Sequence, residues 1–370
     1  MQLLTKILHP PITPSFTQNG VKSKGYNRFL LLLLMVLVSF TSKSEVYYIS
    51  NSGNDSNNGT SENQAWRTLA KVNSFIPSPG DKILFKRDDE WTGTLEVKSS
   101  GFPQKPIVYG AYGSGEKPKL YGSKQVNGWK QYTGNIYQTT FSDPAINQVF
   151  IDGKRAKSAR YPNTGYLDIN QVNGKNSFTS AQLENGINYT GSTVILRARE
   201  WSISTKQVTA SSGNSITINS APLYDLNIGE GFVLFDKLKF IDEPGEWFYD
   251  KSTSTLYLWA PSGDSPENYE VRASTVKNGL FADAKKYVTV ENLEFLHYSV
   301  EAFSLNDCSY FTIRDNNVLW PDGRGIYLGS KSSGNCTFQN NIIKGANHEG
   351  MHIIGESHSI LDNSIEVINL

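Results

Sequence analysis

The sequence has too few cysteines for a disulfide scaffold. Only Cys308 and Cys336 occur in 370 residues, and neither has a second ligand at a zinc-binding spacing. It lacks a surplus of charge: 35 basic residues balance 35 acidic ones, which argues against a nucleic-acid partner. It lacks a membrane-spanning run, since the apolar stretch Phe29–Phe40 has twelve residues where a bilayer needs roughly 20. Long helical periods are also missing. What remains is 38% hydrophobic, enough for a sizeable core and too much for a disordered chain.

The charge balance hides an asymmetry. Residues 1–44 carry five of the basic side chains (Lys6, Lys22, Lys24, Arg28, Lys43) and no Asp or Glu, leaving 30 basic against 35 acidic residues in the rest. Cations ahead of a short apolar run, followed by small polar residues, read as an export leader. With no cysteine after the run, a lipid anchor is excluded. The expectation is a secreted, periplasmic or cell-surface protein, monomeric and mildly acidic, with no membrane span.

Thr, Val, Ile, Tyr and Phe are frequent, and Gly and Asn punctuate the chain every few residues, so the fold class is all-β. One helix is expected over Ala65–Ile76, where Trp66, Leu69, Val72 and Ile76 fall at helical spacing. Strands follow at Lys82–Lys86, Thr94–Val97, Pro106–Gly110 and Lys119–Tyr121. Residues 126–275 read as an inserted antiparallel region. Asp152-Gly153 marks one hairpin, and Glu246–Tyr249 with Thr255–Trp259 marks another. The domain boundaries are thus 1–44 leader, 45–125 cap and first coils, 126–275 insertion and 276–370 further coils.

The last part of the chain is a repeat. Val290, Ile313, Phe338 and Ile360 recur at intervals of 23, 25 and 22. Leu293, Asn316, Asn341 and Asn363 stand three positions later, and Phe295, Val318, Ile343 and Ile365 five later. Ala302, Gly325 and Gly350 then open a short alternating segment. Units this short cannot bury an apolar face alone and must stack, which turns each position into a ladder. The asparagines are expected to bond their own coil's backbone and the next amide. A right-handed parallel β-helix satisfies all of this. It places the two cysteines roughly 11 Å apart, too far for a disulfide, with Cys336 facing inward.

Several segments resemble the secreted bacterial β-helix proteins of the pectate-lyase-like superfamily. Val46-Tyr47-Tyr48-Ile49-Ser50 with Gly53–Thr60 is similar to their entry strand. Ala65–Leu69 resembles their capping helix, and Pro79-Gly80-Asp81 their turn into the first coil. Pro244–Asp250 resembles a segment of their hydrolase-like members. The resemblance implies a carbohydrate-active protein with a polysaccharide partner, and calcium as a cofactor if it is a lyase. Asp88-Asp89-Glu90 is the only acidic run, and it reads as a solvated turn.

Four of the five histidines (His297, His348, His352, His358) lie in the last 75 residues. The repeat register sets His352 one coil above Tyr327, and Glu301, Arg324 and Glu349 in a ladder beside them. Ser299, Asp322 and Asn347 lie two positions earlier. The candidate catalytic residues are therefore Asp322, Glu349, His352, Tyr327 and His348. Arg324, Asn347, Glu301 and Trp320 are the candidates for substrate contact. In a hydrolase Asp322 and Glu349 would be the carboxylate pair, with backbones about 8 Å apart from strand spacings. In a lyase Tyr327 or His352 would move the proton, with Arg324 or Asn347 neutralising a uronate. The plainer alternatives are a surface ion-pair ladder at Arg324, a packed His358, and a His297 stacked on Trp320. A non-catalytic carbohydrate-binding or adhesive β-helix is the competing class. The chain stops inside a coil, so further coils completing the helix and the site are expected beyond Leu370.

Overall fold

A computed structural model describes residues 43–143 and 146–367; all but the last two residues of the expected leader lie outside them. Three parallel sheets wrap around one apolar core. Sheet A stacks Val46–Ile49, Lys82–Lys86, Ile107–Tyr112, Lys286–Glu291, Ser309–Arg314, Thr337–Gln339 and Ser359–Leu361. Sheet B stacks Glu90–Thr92, Lys119–Tyr121, Glu294–Leu296, Asn317–Leu319, Ile342–Ala346 and Ser364–Val367. Sheet C stacks Leu95–Glu96, Asn278–Asp283, Glu301–Asn306, Arg324–Leu328 and Glu349–Ile353.

The expected repeat register is the observed one. Val290 pairs with Ile313, Ile313 with Phe338 and Phe338 with Ile360. Phe295, Val318, Ile343 and Ile365 stack on sheet B in the same way. Val290, Ile313, Phe338, Phe295, Val318 and Ile343 are all buried, and such side chains contribute about 1.5–3 kcal/mol each. The small residues opening sheet C have a steric cause: a Cβ on Gly325 would sit 2.5 Å from the Gly350 carbonyl oxygen and 2.6 Å from Ile343 Cγ2.

Between sheets A and B the chain turns through Asn292, Asp315, Asn340 and Asp362, all with positive φ, a conformation that Asn and Asp tolerate best. The next residue begins the amide ladder. The expected amide-to-amide bonds form, Asn316 Nδ2 donating to Asn341 Oδ1 and Asn341 Nδ2 to Asn363 Oδ1; the backbone bonds differ from the expectation, because each side chain reaches back to the coil before its own. Asn316 Nδ2 donates to the Val290 carbonyl, and Asn316 Oδ1 accepts from the Leu293 N–H. Asn341 and Asn363 repeat the pattern one coil further on. The amides therefore staple coils together. Cys308 and Cys336 are both free and buried.

The helix is shorter than its periodicity suggests, Leu69–Ser74 instead of Ala65–Ile76. Thr68 stops it at the start by accepting from the Lys71 N–H, while Asp55 takes the N–H groups of Arg67 and Thr68. Trp66 is consequently extended and bridged to Ile49, and Ile76 is solvent-exposed.

The second coil places the insertion. Its sheet A and B strands are Ile107–Tyr112 and Lys119–Tyr121, yet its sheet C strand is Asn278–Asp283, which pairs with Leu95–Glu96 below and Glu301–Asn306 above. Everything between leaves and returns at the corner from sheet B to sheet C, through antiparallel Ser123–Gln125 and Val271–Ser274. The insertion has its own apolar core around Phe178, Val194, Ile216 and Phe232. Both expected hairpins form, the first with Asp152 and Gly153 at positive φ. One pair departs from the antiparallel pattern: Lys157–Ser158 runs parallel to Glu246–Trp247.

Candidate active site

The corner from sheet B to sheet C is unusual in its backbone. His297, Trp320 and Gly345 occupy equivalent places on three coils, each with positive φ. Bulky residues rarely hold that conformation, so packing must enforce it. The insertion supplies the packing. His297 is buried and stacks on Phe150 at 3.5 Å between ring centres and 9° between planes. It does not stack on Trp320 as the register alone suggested. The Ser123 hydroxyl lies 2.9 Å from His297 Nδ1. Burial, then the nearby Arg272 and Arg155 cations, lowers the His297 pKa to about 3, so this imidazole is neutral at physiological pH. Trp320 carries the Arg155 guanidinium over its ring at 5.2 Å, which occupies the face expected to meet a substrate.

Arg155 is the hub of this contact, and sequence reasoning missed it. It donates to the Gly345 carbonyl at 2.8 Å and to Asn347 Oδ1. The Asn347 amide in turn donates to Asp322 Oδ1 at 2.8 Å. Asn147, also missed, donates to Asp322 Oδ2 at 2.7 Å and to the Ser299 carbonyl at 3.0 Å. Asp322 is thus gripped from both sides, once by the solenoid and once by the insertion. Asn347 uses both ends of its amide in that grip. Burial raises the Asp322 pKa above its ordinary value. The Asn347 hydrogen bond, the Arg155 and His348 charges and the Asn147 hydrogen bond oppose that shift without reversing it. His348 is exposed beside this carboxyl.

On sheet C the ladder Glu301, Arg324, Glu349 pairs as the repeat predicts, with Tyr327 beneath His352. Arg324 Nε donates to Glu349 Oε2 at 2.7 Å, and Arg324 Nη1 to Glu301 Oε1 at 3.3 Å. His352 Nδ1 lies 2.9 Å from Glu349 Oε2. The Arg324 guanidinium also sits 4.9 Å over the Tyr327 ring. The Arg324 hydrogen bond, with help from His352, lowers the pKa of the half-exposed Glu349. Glu301 has the opposite fate: it is buried, and desolvation raises its pKa despite Arg324. Glu301, the candidate for substrate contact, is thus buried and paired with Arg324. His358 is packed as expected, accepting from the Cys336 N–H near Phe338.

The acidic run does not fit a calcium ion, which needs several oxygens converging on one point. Asp88 accepts from the Glu116 N–H, while Asp89 accepts from Ser50 and Asn51 on another segment. Glu90 faces Arg272 at 3.9 Å. Among the described residues no group of three or more His, Cys, Asp or Glu is placed to hold a metal.

The corner is a set of carboxyl groups in unlike settings, the arrangement from which acid–base chemistry is built. Comparisons with known proteins agree on architecture. Residues 248–365 match the family model described as right handed beta helix region. Over 105 residues the chain is 37% identical to a lacto-N-biosidase of Bifidobacterium longum subsp. longum, a match covering 26% of this chain and 7% of that enzyme. A solved glycoside hydrolase superposes with a TM-score of 0.64 at 13% identity, over 82% of this chain and 74% of that one. A structure of XylC with xylose gives 0.55 at 14% identity, over 86% and 53%. The chain is a right-handed parallel β-helix protein, of an architecture it shares with glycoside hydrolases.

Proposed function

We propose that this chain belongs to an exported enzyme that hydrolyses glycosidic bonds, with Asp322 as general acid and Glu349 as the ionised carboxylate. One observation carries the reading. Two carboxyl groups at one corner, on adjacent coils, are held toward opposite protonation states: Asp322 toward the acid by burial, Glu349 toward the carboxylate by Arg324 and His352. A glycosidase needs that division of labour. One coil and two residues separate their backbones by about 8 Å, compatible with the ~6.5–9.5 Å between carboxyls in an inverting enzyme. His352, bonded to Glu349, fixes its orientation; Tyr327 and His348 border the same surface.

The eliminating alternative has less support. Its uronate would need a free cation or amide, whereas Arg324 is engaged by two carboxylates and the Asn347 amide by Arg155 and Asp322. Export is supported by the five cations and the apolar Phe29–Phe40 of the first 44 residues. The test is a screen of the full protein on neutral and uronic-acid polysaccharides. New reducing ends without the ultraviolet absorbance of an unsaturated uronate are expected. Reducing ends with matching absorbance would make the protein a lyase, and binding without any product would make it an adhesive module.

A further inference from the structure

One contact on the outer face of sheet B joins three coils through side chains that the proposed hydrolysis does not use. Lys119, Glu294 and Asn317 stand at paired positions of three adjacent coils. Lys117 lies two positions before Lys119, on the same face. Its Nζ donates to Asn317 Oδ1 at 2.9 Å. The other end of that amide, Nδ2, donates to Glu294 Oε2 at 2.8 Å. The main chain beside Lys117 is pinned, since the Glu294 N–H donates to the Pro118 carbonyl at 2.9 Å. Lys117, Glu294 and Asn317 are all half-buried. Burial, helped by the Arg87 cation and opposed by Glu294 and Asp315, lowers the Lys117 pKa and so raises the fraction of neutral amine. An amine, a carboxamide and a carboxylate are thus held in one chain of contacts, although the amine and the amide are 200 residues apart in sequence.

We propose that Lys117 and Asn317 condense into an intramolecular isopeptide bond, with Glu294 as the proton carrier. The neutral Nζ attacks Asn317 Cγ. The Nζ–Cγ bond forms, the Cγ–Nδ2 bond breaks, and Nδ2 leaves as ammonia. Glu294 takes the proton that Nζ releases and passes it to the departing Nδ2, which its Oε2 already meets. One amine and one carboxamide give one secondary amide and one ammonia, so no oxidant, cofactor or water is consumed. Attack requires the amine to move only from the oxygen to the carbon of the same carbonyl group. Aminolysis of an amide is slow in solution, but well-oriented intramolecular reactions reach effective concentrations of about 10⁵–10⁸ M. A single slow turnover is sufficient, because the product persists. Lys117 precedes the insertion and Asn317 follows it, so the bond closes a loop containing all of residues 126–275 and clasps the coils on either side of the point where they leave.

The test is mass spectrometry of the full protein, intact and after denaturation and tryptic digestion. A peptide pair joined through Lys117 and Asn317 is expected, lighter than the sum of its parts by one ammonia. Lys117→Arg and Asn317→Ala should each abolish the joined pair and restore that ammonia to the intact mass. Glu294→Gln should leave most of the chain unjoined, with circular dichroism unchanged in all three. Wild-type protein in which the two peptides are separate overturns the inference, and that measurement decides by itself if a variant fails to fold. An ammonia deficit that persists in Lys117→Arg overturns it as well, because a succinimide elsewhere in the chain would be its source. Complete joining in Glu294→Gln overturns the role of Glu294.

Discussion

Asn341→Ala should be among the most damaging single changes in the solenoid. The amide donates to the Ile313 carbonyl at 2.8 Å and to Asn363 Oδ1 at 2.9 Å, and accepts from the backbone and side-chain nitrogens of Asn316 at 3.1 and 3.2 Å. Asn341 and Asn316 are both fully buried, so water does not replace what is lost on that side. Two stranded buried groups, the Asn316 N–H and the Ile313 carbonyl, at about 1–3 kcal/mol each give a destabilisation of about 2–6 kcal/mol. The Asn363 side lies nearer solvent and adds little. Stacked coils need not unfold in one step, so bulk denaturation should be paired with native-state hydrogen exchange. Protection should fall at the Asn316 and Ile342 amides first. Thr337→Ala, at a partly exposed position of the same coil that pairs with Thr312 and Ser359, should cost less than about 0.5 kcal/mol. A loss below about 1 kcal/mol in Asn341→Ala, or an equal loss in Thr337→Ala, would refute the stapling argument.

Other outcomes follow from the corner. Asp322→Asn and Glu349→Gln should each lower hydrolysis by about 10²–10⁴-fold with unchanged circular dichroism, the range for acid–base groups; full activity in both would end the assignment. The pH–rate profile should be a bell. Activity is lost on the acid side as Glu349 protonates below its lowered pKa, and on the alkaline side as Asp322 ionises above its raised one. Arg324→Ala should move the acid limb upward and Asn147→Ala the alkaline limb upward; limbs that do not move would show that neither residue tunes these groups. His297, depressed to about 3 in the folded state, binds its proton more readily when unfolded. Its contribution is therefore full above the ordinary histidine value and lost as pH falls toward 3, at up to about 1.4 kcal/mol per pH unit. His297→Gln should abolish that slope in the variant, so that the difference between the two stability curves, measured by urea denaturation, carries it; parallel curves would refute burial of a neutral imidazole.

Much of the architecture was legible because a stacked repeat writes every contact at a fixed sequence interval. The 23- and 25-residue spacings alone place Glu301, Arg324 and Glu349 in one ladder and Tyr327 under His352, as observed. The amide ladder and the small residues of sheet C follow from the same periodicity. The helix was misjudged for a local reason: periodicity reports which face is buried, and the Thr68 cap decides where the helix begins.

What the repeat could not reveal is anything outside its period. Asn147 and Arg155 lie about 170–190 residues before their partners Asp322, Gly345 and Asn347, and no local pattern links them. Only the folded insertion, returning to the corner where it departs, engages Asn347 through Arg155 and moves His297 from Trp320 onto Phe150. The coil, its register and the carboxylate-bearing ladder were determined by the sequence itself, because stacking makes near neighbours of equivalent residues. The protonation tendency of Asp322 was decided by tertiary structure, because its desolvation depends on which distant side chains close over the carboxyl group.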